Sequence, residues 1–149
     1  MTLTIIKYLN YSPYLDEKVS GGNNSVIIGN SFVGKGSILH DNVVIRGDGK
    51  KILIGSNCIF KNRSTIHVAA KIQGTDIGSN SFIGEYSIIH ACKLGNNSII
   101  GKNAVIMDGS IVEQNSVIKD NSLVSPGKKF APFSLIAGSP AKLIKKMNE

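Results

Sequence analysis

Three histidines, His40, His67 and His90, and one acidic residue in the heart of the chain, Glu85, are the side chains whose types could carry chemistry. Glu85 follows His67 by eighteen residues and precedes His90 by five. Two imidazoles and one carboxylate are an established ligand group for Zn²⁺ or Fe²⁺. The local zinc spacings CxxC and HExxH do not occur, so a shared site needs a fold that stacks distant residues. Without one, each is a lone polar side chain on an exterior. His40-Asp41 is the only adjacent His–Asp pair and reads as a turn; no His-Asp-His cluster of the acyltransferase type is legible. Cys92 reads first as a buried thiol and Tyr86 as an exposed residue.

The fold that could stack them shows as a six-residue beat. Ile88, Leu94, Ile100, Ile106, Val112, Ile118 and Val124 fall at strict intervals, and a small residue follows by four places at Ser98, Ala104, Ser110, Ser116 and Ser122. Earlier, Ile27, Val33, Leu39 and Ile45 keep the same step, as do Ile54, Phe60 and Ile66. A helix of 3.6 residues per turn drifts out of phase with this repeat. A period of six is the hexapeptide signature of a parallel β-helix, three hexads to a triangular coil. The beat breaks between Ile45 and Ile54, between Ile66 and Ile77, and in a five-residue step from Ile83 to Ile88. Interruptions of a solenoid map to one face, often the binding face, and these bracket His67 and His90.

By length the 149 residues make one domain. Residues 1–24 read as an extended lead-in, 25–130 as a β-helix of about five to six coils, and 131–149 as a turn and a short C-terminal helix. In that helix Ser139 would be N-cap and Pro140 the first position. The fold class is all-β. Sixteen glycines and frequent asparagines suit tight corners, where left-handed backbone is needed.

The net charge of +7 could attract nucleic acid. The lysines are scattered, aromatic interleaving is absent and only two arginines occur, so no nucleic-acid partner is expected. Two cysteines make no disulfide framework. The first ten residues lack a secretory or transit pattern and no stretch is long and apolar enough to span a membrane, so the expected location is cytoplasmic.

Val44-Ile45-Arg46-Gly47-Asp48, Ile54-Gly55 and Ile66-His67, then Ile83-Gly84 and Ile89-His90-Ala91-Cys92, resemble the γ-class carbonic anhydrases over roughly residues 25 to 145. The resemblance implies a left-handed β-helix, a homotrimer and metal sites between subunits. It places His67 and His90 at the first and third zinc histidines, and Arg46 and Asp48 at the interface arginine and aspartate. The second zinc histidine falls on Glu85, and a glutamine–aspartate pair beside the site falls on Lys61 and Asn62.

Two states of the site follow. In one, Glu85 joins His67 and His90 around zinc or iron. In the other no metal binds and Lys61 pairs with Glu85 in its place. The functions implied are metal-dependent CO₂ hydration, with CO₂/bicarbonate as substrate, or ester hydrolysis. The alternatives are an acyl-CoA-dependent acyltransferase with His67 or His90 as general base, and a non-catalytic trimeric scaffold subunit.

Overall fold

The computed structural model describes residues 2–148 as a β-helix of about seven turns, left-handed and without helices among the described residues. Three flat faces run its length. The first, here the histidine face, holds β1 (Thr4–Ile6), the first half of β4 (Val26–Val33), the first half of β6 (Val44–Ile54), β8 (Thr65–His67), β11 (Ile88–His90), β14 (Val105–Ile106) and β17 (Leu123–Val124). The second face holds β2 (Tyr14–Leu15), the remainders of β4 and β6, β9 (Thr75–Ile77), β12 (Lys93–Leu94), β15 (Ile111–Val112) and β18 (Lys129–Phe130). The third stacks β3 (Ser20–Gly21), β5 (Ile38–Leu39), β7 (Ile59–Phe60), β10 (Phe82–Ile83), β13 (Ile99–Ile100), β16 (Val117–Ile118) and β19 (Ser134–Gly138). Each strand pairs in parallel with those above and below it. At about 4.8 Å per coil the prism stands roughly 30 Å tall.

The six-residue step is the distance from one face to the next. Its inward residues form three buried ladders: Ile27, Ile45, Ile66, Ile89, Ile106 and Val124 on the histidine face; Val33, Ile54, Ile77, Leu94, Val112 and Phe130 on the second; Leu39, Phe60, Ile83, Ile100, Ile118 and Ile136 on the third. The small residue four places on is a corner device. The hydroxyls of Ser64, Ser81, Ser98, Ser110 and Ser122 each donate to the carbonyl three residues back, at 2.6 to 2.9 Å. A larger side chain would meet the next coil. Asn24, Asn42, Asn57, Asn80, Asn97, Asn103, Asn115 and Asn121 hold left-handed corner positions with φ between 55° and 61°, a conformation asparagine tolerates better than most residues.

Four expectations change. The five-residue step lies between Ile89 and Leu94, not after Ile83: Ile89 is fully buried while Ile88 is 42% exposed. The three interruptions therefore fall at one corner, between the histidine and second faces, in three consecutive coils. The coils number about seven, because residues 4–21, read as a lead-in, place one strand on each face: β1 on Val26–Ile28, β2 on Phe32–Val33 and β3 on β5. The expected C-terminal helix is instead a strand, β20 (Ala141–Lys146), antiparallel to β19. Six residues are too few to sustain a helix alone, whereas the open edge of β19 offers backbone groups that a strand satisfies.

Candidate metal centre

The histidine face ends at the irregular corner, and the corner makes the site. β8 and β11 are in register, so His67 and His90 stand directly one above the other. Their rings meet edge to face with centroids 5.1 Å apart. Arg46 follows the Ile45–Ile66 pair and stands one coil below His67.

The longer steps bring in the remaining groups. Residues Gly47–Lys51 bulge outward within β6, and residues 69–74 turn back in the coil above through an Ala69–Gln73 bridge. The two bulges touch: a Cβ at Gly74 would lie 2.2 Å from the carbonyl oxygen of Lys51, so only glycine permits this approach. The lower bulge points Asp48 at the histidines. Its Oδ1 meets His67 Nε2 at 2.7 Å and its Oδ2 meets Arg46 Nε at 3.2 Å. His67 and Asp48 are about three-quarters buried, whereas Arg46 is half exposed. One carboxylate thus holds both an imidazole and a guanidinium. Behind them the buried Thr75 hydroxyl donates to the His67 carbonyl and accepts from the Ala91 N–H at 2.8 Å, joining the two histidine coils across the gap left by the upper bulge.

On the other side of the pair, Asp108 bonds His90 through Nδ1. Neither Asp108 nor Thr75 is among the site residues expected from the sequence. Asp108 does carry a signal: it follows His90 by eighteen residues, one regular coil. The cluster Asp48–His67/His90–Asp108 is also the His/Asp grouping that adjacency along the chain does not reveal.

Glu85 is elsewhere. It lies at the other end of the histidine face, in the corner leading from the third face, on the order of 10–15 Å from His90. Its eighteen-residue separation from His67 does not stack the two, because the upper bulge lengthens that coil and His67 instead pairs with His90. Within the chain Glu85 meets Lys102 at 3.6 Å. Among the described residues no ion pair joins Glu85 to Lys61. Asn62 sits at this same corner, accepting from the Asp41 N–H at 3.0 Å, and Lys61 beside it pairs its backbone with Ile83. Arg46, Asp48, His67 and His90 are therefore assembled in one chain, while Lys61, Asn62 and Glu85 form a second group at the far corner. His40 stands at that same far corner, one coil below Lys61. Among the described residues no three His, Cys, Asp or Glu side chains are grouped to hold a metal within one chain.

The family model for Dynactin subunit 5 matches residues 3–149. A "Probable carbonic anhydrase" of Methanocaldococcus jannaschii is 36% identical over 135 residues, covering 91% of this chain and 84% of that protein. The chain belongs to the Dynactin subunit 5 family of γ-carbonic anhydrase-like hexapeptide-repeat proteins. Other members of this γ-carbonic anhydrase-like group are longer: Gamma carbonic anhydrase 2, mitochondrial, of Arabidopsis thaliana is 29% identical over 98% of this chain but only 54% of its own length. The chain spans little more than half the length of several curated relatives. Among solved structures, a hexapeptide transferase family protein from Anaplasma phagocytophilum superposes with a TM-score of 0.92 at 33% identity, covering 98% of this chain and 86% of that one.

Cys92, two residues beyond His90, is buried. Burial pushes its thiol up to about 12 from 9.0, with the nearby Asp108 and Asp76 carboxylates adding to the effect. Burial likewise raises Cys58. The thiolate is the reactive form, so neither native cysteine should react with iodoacetamide at pH 8, while unfolded chain should react at both. The Cys92 pKa is higher folded than unfolded, so its contribution is intact below pH 9 and is lost as pH rises from 9 towards 12. Urea midpoints should fall more steeply between pH 8 and 10 for wild type than for Cys92→Ala; equal slopes would remove Cys92 as the source.

Proposed function

We propose that the chain forms a homotrimer in which His67 and His90 of one protomer and Glu85 of a neighbour hold Zn²⁺ or Fe²⁺ for γ-carbonic anhydrase-type hydration of CO₂, or hydrolysis of an ester. The observation that carries this is the stacked His67/His90 pair braced by Asp48 and Arg46 at the edge of a face. The donor types fit such an ion, but one chain supplies only two imidazoles in reach of each other, and Asp48 and Asp108 already serve as their partners. The third donor must come from outside the chain.

The surface supports that source. The histidine face carries Val26, Val44, Thr65, Ile88, Val105 and Leu123 outward, and the third face carries Ile38, Ile59, Phe82, Ile99, Val117 and Leu135. These two largely apolar ladders meet at the Glu85 corner, so a neighbour covering one of them would bring its own corner along. Contiguous, partly exposed apolar surface of this kind suits an interface, and a ring of identical contacts closes by rotational symmetry. Release of Glu85 from Lys102 is a small obstacle, since exposed pairs contribute about 0–1 kcal/mol.

A bound ion supplies Lewis-acid activation of water. This chain's residues then have defined tasks: Asp48 orients His67, Arg46 fixes Asp48, and Lys61 and Asn62 line the neighbour's side of the interface. Two buried, unbridged cysteines support a reducing compartment such as the cytoplasm. Among the described residues no helix is long and apolar enough to cross a membrane.

A second reading is acyl transfer from acyl-CoA, with the Asp48-oriented His67 as general base. It is favoured by the hexapeptide transferase family protein from Anaplasma phagocytophilum. The family description Dynactin subunit 5 favours a scaffold role without catalysis. Elemental analysis separates the three. About one metal per subunit after anaerobic loading with Zn²⁺ or Fe²⁺, lost in His67→Ala, is the expected result. No metal but saturable acetyl-CoA binding would replace it with acyl transfer, and neither would leave a scaffold.

A further inference from the structure

We propose that Asp108 is the positioning residue for His90, fixing its tautomer so that Nε2 is the nitrogen left free to accept. Asp108 Oδ1 faces His90 Nδ1 from the coil above. An ionised carboxylate can only accept, so the proton of a neutral imidazole must lie on the nitrogen that faces it. The lone pair is then on Nε2. No other polar side chain among the described residues bonds the His90 ring.

Asp108 is itself held before any ligand arrives. The Gly109 N–H donates to the Ala91 carbonyl at 2.7 Å, and the Asp108 carbonyl accepts from the Gly127 N–H at 2.9 Å. Ser110 closes the same corner by donating to the Met107 carbonyl at 2.6 Å. Gly109 adopts φ +75°, which lets the chain turn sharply behind the carboxylate. The corner is therefore tied to the coil below, the coil above and itself.

The arrangement is asymmetric in a way that specifies the site. Asp48 takes Nε2 of His67 and leaves Nδ1, whereas Asp108 takes Nδ1 of His90 and leaves Nε2. The two free nitrogens of the stacked pair are thus different atoms, set by two carboxylates from coils on opposite sides. Carboxylate partners of this kind orient ligating imidazoles and raise their basicity. The proposal rests on the metal reading only for what the free nitrogen would hold.

The test uses ¹⁵N-labelled full chain and long-range ¹H–¹⁵N correlation of the imidazole rings at a pH where they are neutral. Wild type should show His90 protonated at Nδ1. Asp108→Ala should lose that preference, and Asp108→Asn, which keeps an acceptor in nearly the same shape, should largely retain it. An unchanged His90 pattern in Asp108→Ala, or an Nε2-protonated ring in wild type, overturns the proposal. If Asp108→Ala does not fold, the wild-type and Asp108→Asn spectra still decide it. Zn²⁺ affinity by chelator competition is the second readout, with a loss of about 10- to 100-fold expected in Asp108→Ala. Wild type that binds no Zn²⁺ yet shows the Nδ1–H ring would sink the metal reading and leave the role of Asp108 standing.

Discussion

Chains carrying His67→Ala and chains carrying Glu85→Ala should each fail to hold metal alone, and regain about a quarter of the wild-type metal content when unfolded and refolded together in equal amounts. In a rotationally closed ring each interface takes its histidines from one protomer and its carboxylate from the next. Random assembly then pairs an intact histidine face with an intact Glu85 at about one interface in four. The single-chain geometry motivates this, because the histidines and Glu85 stand at opposite ends of one face. A site completed within a chain would recover nothing on mixing. Retention of full metal by Glu85→Ala chains alone would remove Glu85 from the ligand set.

The second large effect concerns the core. Phe60 is the largest fully buried side chain, stacked on the third face between Leu39 and Ile83. Phe60→Ala should cost about 3–5 kcal/mol, a large share of the roughly 5–15 kcal/mol that holds a domain together. Ladder neighbours above and below are fixed by their own coils and cannot collapse into the space, which argues for the upper part of that range. Phe60→Leu, closer in volume, should cost about 1.5 kcal/mol or less. Urea unfolding at fixed protomer concentration reads both; a Phe60→Ala loss under about 1 kcal/mol would mean that the ladder closes over the gap.

The inward ladders were legible because periodicity is a property of face width: from Ile27 onward, nearly every aliphatic on the beat is buried. What periodicity could not resolve was a choice between adjacent residues of one type. Ile88 and Ile89 are both isoleucine, so a five-residue step could fall before or after them, and only the corner geometry places it after. The first coil is hidden in the sequence because Gly21 stands where the third face elsewhere has a large apolar side chain. The site was half legible. Arg46, Asp48, His67 and His90 can be read from the sequence and stand together in the chain, whereas an eighteen-residue separation stacks His67 on Glu85 only in a regular coil, and residues 69–74 make a long one. Asp108 keeps the regular spacing from His90, but a lone aspartate before glycine reads as a turn until the histidine beneath it is seen.

The closing strand, β20, has a bearing on how long such an object can grow. Parallel coils expose, at each end, the same row of backbone groups that joins one coil to the next, so a bare prism is a template for end-to-end fibres. β20 runs the other way along β19 and carries Lys142, Lys145 and Lys146 on exposed positions. A reversed strand presents the wrong hydrogen-bond phase to an incoming parallel coil, and three positive charges repel a second copy of the same end. Reversed pairing thus closes the edge of β19 to a further parallel strand, while β17 and β18 keep theirs.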